Sequence, residues 1–413
     1  MESAINSGDT TWVMVATALV TMMTPALAFF YGGMVRRKNI LSTLNLSFIA
    51  MSLIGLQWVL FGYSLAFGDS LGGLIGNLRY LGFAGVTGAP SDVYASNIPH
   101  LAFAAFQMTF AVITPALITG AFVERVRFKT FLIFALLWAT LIYDPVAHWV
   151  WGKGGIFGSM GALDFAGGTV VHITAGFSAL AFALTIRPRS GFGNITYEPH
   201  NIPYTVLGAG LLWVGWFGFN GGSALAADGI AVTALVNTNT AAAAAALVWM
   251  FLSWREHKPS VLGIVIGAVV GLVAITPAAG FVTPLASIVI GAIAAPISYY
   301  CIRFVHSRRL DESLDVWGCH GMAGAWGALA TGLFSSSAIN PAAANGLFYG
   351  GGFAQVGIQA LTLLVAAIYA FGLTYGIAKL LDATFGLSVS EEEEQLGLDM
   401  SEHGESAYAL ETL

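Results

Sequence analysis

Long apolar stretches with almost no charge constrain this chain more than any other feature. Only 9% of its 413 residues are charged, against about 25% in a soluble globular domain. Water cannot solvate a surface so poor in charge, so most of the outer surface must face lipid. A lipid-spanning helix needs roughly 20 mostly apolar residues. On that criterion helices are expected at about 11–35, 40–68, 99–123, 130–150, 166–186, 203–226, 231–254, 260–279, 285–304, 316–334 and 350–381. The expected fold class is an all-α polytopic membrane protein with eleven transmembrane helices. The 50 glycines suit helices that approach one another closely.

The basic residues set an orientation. Arg36, Arg37 and Lys38 follow segment 1; Arg125, Arg127 and Lys129 follow segment 3; Arg187 and Arg189 follow segment 5. Arg255 and Lys258 follow segment 7, Arg303, Arg308 and Arg309 follow segment 9, and Lys379 closes segment 11. Only Arg79 and Lys153 fall on the other side. The expected topology is therefore N-out/C-in. Residues 1–10 carry Glu2 and Asp9 without Lys or Arg, and the run from Trp12 to Val35 exceeds a signal-peptide core. A retained first span is the expectation. The division is a transmembrane domain over 1–382 and a cytoplasmic tail over 383–413, where Glu391 to Glu394 form an acidic run. On composition alone that run reads as a solvated end. No basic patch is large enough for nucleic acid, and Cys301 and Cys319 allow one bridge at most.

Two short segments resemble each other. His172-Ile-Thr-Ala-Gly176 and His320-Gly-Met-Ala-Gly324 share His-x-x-Ala-Gly. Five segments separate them, so they cross in opposite directions. The pattern suggests an inverted five-helix repeat, helices 1–5 against 6–10, with helix 11 peripheral and the functional path at the interface. Ionisable groups at membrane depth are expensive and mark function. His172 and His320 could meet near the midplane, one ring donating a hydrogen bond and the other accepting. Burial disfavours the charged ring, so a neutral pair is the expected resting state. The alternative is two packing histidines. No third ligand at suitable spacing accompanies them, so no metal or other cofactor is expected.

Asp164 precedes segment 5. It can cap that helix, bind a cation directly, or support a cation site indirectly. The indirect role is preferred, because a fixed carboxylate in the path would hold a cation too tightly. Phe106, Trp151, Trp216 and Phe219 stand out among the aromatics. With the Ser223 hydroxyl they could hold a cation without a counter-ion, each ring contributing about 0.5–2 kcal/mol. An enzyme reading would need Asp164, His172 and Ser223 as a triad, but no strand-to-helix nucleophile elbow surrounds Ser223. No output domain that would make the chain solely a sensor is visible.

Several stretches carry a family resemblance. They include Phe30-Tyr-Gly-Gly-Met34, Glu124-Arg125 with Arg127-Phe128, Ala147-His-Trp-Val-Trp-Gly152, and Gly161-Ala-Leu-Asp-Phe-Ala-Gly-Gly-Thr-Val-Val-His172. Glu198-Pro-His-Asn201, Gly215-Trp-Phe-Gly-Phe-Asn-Gly-Gly-Ser223, Thr276-Pro-Ala-Ala-Gly280, Gly397-Leu-Asp399 and Ser401-Glu-His-Gly-Glu405 extend it to the tail. The whole chain resembles ammonium transporters of the Amt/Mep/Rh family, the prokaryotic Amt branch above all. The resemblance implies ammonium transport across the cell membrane. It implies a recruitment site of Phe106, Trp151 and Ser223 with Asp164 in support, and a gate of Phe106 and Phe219. It further implies a pore pair of His172 and His320, with Trp216 and Thr276 supporting. A homotrimer and a cytoplasmic PII-type regulatory protein are the partners it implies. The loop from Trp151 to Asp164 is one residue longer than in the family and carries Lys153.

Overall fold

The computed structural model describes residues 5–256 and 258–408. Glu2 of the N-terminal reading and the last five tail residues lie outside them. Helices dominate, as the apolar runs require, because a backbone in lipid must satisfy its own hydrogen bonds. The helices are α1 (Ser7–Met34), α2 (Arg37–Phe67), α3 (His100–Ala121), α4 (Phe128–Ser159) and α5 (Gly168–Ala183). They continue as α6 (Ile202–Gly222), α7 (Gly229–Glu256), α8 (Val261–Ile275) and α9 (Pro284–Ser307). Next come α10 (317–334) and α11 (Ala354–Phe385). Every expected segment holds a helix. Among the described residues, eight are long and apolar enough to cross a membrane; α5 and α8 are shorter, and α10 is not among the eight.

Large apolar side chains such as Met14, Leu56, Val232, Leu285 and Ile368 lie outward and exposed on these helices. Each would cost free energy in water at about 25 cal/mol per Å²; against lipid tails that cost vanishes. The core is built by helix faces that meet pairwise. α1 packs along α6, α5 packs on α10, and α11 lies across α4, α5 and α10. The loop between α2 and α3 folds into two small antiparallel hairpins, β1 (Ser70–Leu71) with β2 (Ile75–Gly76) and β3 (Pro90–Ser91) with β4 (Ala95–Pro99). These strands are too short to leave any trace in the hydropathy pattern.

One end of the bundle is held by buried charge. Glu124, after α3, pairs with Arg36 after α1 and Arg189 after α5, both at 2.8 Å. Arg189 also grips Asp311, after α9, at 2.7 Å. Burial alone would push the Glu124 carboxyl up, but the two guanidiniums outweigh it and hold it below the usual range. So the segments following α1, α3, α5 and α9 converge at one end, as alternating crossings demand.

The tail corrects its compositional reading. Residues 386–389 run alongside 125–130, with Arg127 N–H donating to the Leu387 carbonyl at 2.9 Å and Val389 N–H to that of Arg125 at 3.0 Å. Two short helices follow, α12 (Glu391–Leu396) and α13 (Leu398–His403). Ser390 and Glu393 form a capping box that starts α12. Glu391 and Glu392 are solvated, but Glu394 is fully buried. It pairs with Arg187 at 2.8 Å and accepts from the Ser190 N–H at 2.8 Å. Composition hid this because one buried glutamate in four does not change the average.

Candidate functional site

Three cavities follow one another through the bundle. The mouth is lined by Phe110, Trp151, Asp164, Ser223, Gln107 and Phe165, among others. A narrow middle cavity lies between Phe219, Trp216, His172 and His320, its other walls being Met23, Leu27, Phe30, Ile113, Leu117, Val171, Leu212 and Val269. An inner cavity opens below His320, bounded by Tyr31, Asp315 and Cys319. Phe30, Val269 and His320 border both of the last two.

At the mouth, Asp164 acts as a helix cap. Its Oδ1 accepts from the N–H groups of Gly167 (3.0 Å) and Gly168 (2.6 Å), and its Oδ2 from those of Thr169 (2.8 Å) and Val170 (3.1 Å). Four donors occupy the carboxylate, which leaves little of it for a direct ligand. Its carbonyl accepts from the Trp151 indole N–H at 2.9 Å, fixing the ring over the mouth. Ser223 ends α6 and donates its hydroxyl proton to the Phe219 carbonyl at 2.8 Å, so its oxygen lone pairs stay available. The triad reading fails on these contacts: Asp164 serves backbone amides and Ser223 a carbonyl.

Phe106 departs from its expected place. It is fully buried behind the mouth, edge-on to Phe110 at 5.0 Å, and is not part of the cavity wall. Phe110, one turn further along α3, lines the cavity instead. Its ring lies 4.3 Å from Phe219 and 5.9 Å from Trp151. Residues four apart share a helix face, so position along α3 decides which of the two rings meets Phe219. Phe110 and Phe219 together separate the mouth from the middle cavity.

His172 and His320 meet as expected, their Nδ1 atoms 3.2 Å apart. A hydrogen bond between two ring nitrogens needs a lone pair on one of them, which excludes two charged rings. Trp216 stacks on His172 at 5.4 Å and is held by its indole N–H to the Thr276 hydroxyl at 2.8 Å. Nε2 of His172 is buried without a protein partner.

Local backbone explains the meeting. Both histidines lie in π-helical turns, Gly168–Ile173 and Trp317–Met322; such turns rotate side chains out of the ordinary helical register and recur at functional sites. The shared glycine four residues on lets the helices touch. A Cβ on Gly176 would lie 2.2 Å from the Gly321 nitrogen, and one on Gly324 would lie 3.1 Å from the Cβ of His172. Each glycine thus makes room beside the opposite histidine.

Known proteins give the same reading. The family model described as Ammonium Transporter Family matches residues 11–408. The ammonium transporter of Bacillus subtilis is 49% identical over 97% of this chain and 98% of its own length. Amt1 of Archaeoglobus fulgidus is 47% identical over 98% of this chain and all of its own. The crystal structure of Saccharomyces cerevisiae Mep2 superposes with a TM-score of 0.90 at 35% identity, covering 99% of this chain and 93% of that one. With aromatic rings at its mouth and two imidazoles in contact deeper in the bundle, this multi-pass membrane protein belongs to the ammonium transporter family and is a transporter, not an enzyme.

Proposed function

We propose that the chain recruits NH4+ at its mouth, strips a proton there, and passes NH3 and the proton separately through the bundle. An ammonium-sized ion pays roughly 20 kcal/mol in an idealised transfer to low dielectric. Apart from the Trp216 indole and the two histidines, the middle cavity is walled by apolar side chains, and neutral NH3 avoids most of that cost. Trp151 and Phe110 offer ring faces and Ser223 an acceptor oxygen, while Asp164 supports the site by holding Trp151. Phe110 and Phe219 form the gate. Phe106, initially expected there, backs Phe110.

The observation that carries the reading is the Nδ1–Nδ1 contact of 3.2 Å between His172 and His320, at the neck between the middle and inner cavities. A proton entering one ring can leave by the other, which makes transport electrogenic. Potassium has no proton to give up and is excluded. α1–α5 and α6–α10 are the proposed inverted repeats, with α11 outside them and the N-terminus facing outward. On the family's precedent, the proposed assembly is a homotrimer with one pore per subunit, and the proposed cytoplasmic partner is a PII-type protein.

The test is electrical. The combination of His172→Ala and His320→Ala should abolish ammonium current in supported bilayers, and single His→Asp variants should admit potassium. A double alanine variant with the parent's current and selectivity would reduce the histidines to packing.

A further inference from the structure

The two pore helices share more than their histidines. Asp164 and Glu312 each stand eight residues ahead of a pore histidine, and each caps the helix that carries it. The two caps are differently filled. Asp164 spends both oxygens on four backbone N–H groups. Glu312 accepts from the Trp317 N–H through Oε1 at 2.7 Å, while its Oε2 is buried without a protein partner. The side chain is only 3% exposed. An unpaired buried carboxylate oxygen is costly, and a bound proton removes its charge.

Glu312 lies behind the wall of the inner cavity, buried and next in sequence to three of its lining residues. Its loop is pinned to the end of α3 by Ser313 N–H to the Ala121 carbonyl (3.2 Å) and Leu314 N–H to that of Gly120 (2.9 Å). Ser313, Leu314 and Asp315, its immediate successors, line the inner cavity with Tyr31, Cys319 and His320. The groups around it are Asp315 and Cys319, His306 from α9 and Tyr31 from α1. Asp315 is taken by His306 at 2.7 Å. Beyond lies Asp311, neutralised by Arg189 and Arg125.

We propose that Glu312 is the inner proton carrier of the transport cycle, taking the proton that leaves His320 and giving it to NH3 in the inner cavity. This rests on the separate passage of NH3 and proton argued above. In the first step the proton moves from the His320 imidazolium, through water in the inner cavity that enters past the Ser313–Asp315 wall, to Oε2. That leaves a neutral ring and a carboxylic acid. In the second, the acid's O–H bond breaks, the nitrogen lone pair of NH3 takes the proton, and NH4+ departs with the carboxylate restored. Burial first, then the Asp315 charge, pushes this carboxyl up to about 8, against the pull of the Trp317 N–H, His306 and the Val316 N–H. A group in that range can both accept and release a proton near neutrality.

Glu312→Gln keeps an oxygen for the Trp317 N–H and loses only the proton site. In oriented proteoliposomes of the full chain, its ammonium current should fall roughly 100-fold, the low end of what a positioned proton-transfer group contributes. The parent's current should inflect near an inner pH of 8, and the variant's residual current should lose that inflection. A variant with the parent's current and inner-pH profile overturns the proposal and leaves Glu312 a helix cap. If the variant does not fold, the parent alone decides: a profile without an inflection within about one unit of 8 overturns it equally. A double-alanine histidine variant that retains current sinks the relay itself; a dead double alanine beside an unaffected Glu312→Gln sinks only this inference.

Discussion

One added methyl group should disconnect the histidines without touching either. In Gly176→Ala the new Cβ lies 2.2 Å from the Gly321 nitrogen and 2.3 Å from its Cα. Carbon atoms in contact sit roughly 3.5–4.0 Å apart, so α5 and α10 must separate by about 1.5 Å. Both obstructing atoms are backbone, and no rotamer change relieves the clash. Overpacking of this kind costs about 1–3 kcal/mol. The crossing lies one turn from His172. Half of that separation would stretch the Nδ1–Nδ1 contact from 3.2 Å to nearly 4 Å, beyond the range of about 2.7–3.2 Å for a hydrogen bond. The variant should therefore lose stability by that amount and lose most of its electrogenic ammonium current. Gly324→Ala is the graded control. Its Cβ meets the His172 Cβ at 3.1 Å and the Gly168 carbonyl oxygen at 3.2 Å, so a few tenths of an ångström suffice and most of the current should survive. Gly372→Ala, which meets nothing within 4 Å, should behave as the parent. Thermal unfolding in detergent and current on supported membranes measure both quantities. A Gly176→Ala protein with parent stability and parent current would refute the argument that close helix approach sets the imidazole contact.

Three further outcomes are expected. Asp164→Ala strips the acceptor from four backbone amides and should lower stability by about 2 kcal/mol or more, the upper end for a lost cap; weakened ammonium affinity at unchanged melting temperature would make Asp164 a direct ligand instead. Trp151→Leu removes a ring worth about 0.5–2 kcal/mol to a cation and should raise the half-saturating ammonium concentration roughly 2- to 30-fold, an expectation that an unchanged concentration dependence contradicts. Glu394→Gln leaves Arg187 without its buried counter-charge and Arg36 with Glu124 alone, so the tail should become protease-sensitive after about residue 386, and a tail that stays as resistant as the parent's would show that the ion pairs do not hold it.

The long elements were legible because length and apolarity are the whole requirement for a span, and each expected segment contains helix. The histidine pair was legible because a repeated His-x-x-Ala-Gly stands out against apolar surroundings. The ring that meets Phe219 was not. Phe106 and Phe110 are one turn apart on the same face, and only the packed orientation of α3 puts Phe110 against Phe219. The π-helical turns were invisible too, since one extra residue in a turn alters no periodicity that a run of Gly, Val and Ile could display. Glu312 could have been found by comparing spacing, because it stands as far before His320 as Asp164 does before His172. The change of residue type concealed the match.

The buried Glu394 also fixes the order in which the molecule can be finished. Its partners Arg36 and Arg187 leave the ribosome early, whereas Glu394 is made 204 residues after Ser190. At about 5–20 residues per second the interval is roughly 10–40 s. During it α1–α5 are already synthesised, and the guanidiniums that follow α1 and α5 stand without this counter-charge. The tail can therefore dock only after translation is nearly complete, so a chain cut short anywhere in α11 would insert most of its spans and still leave Arg187 without its buried partner.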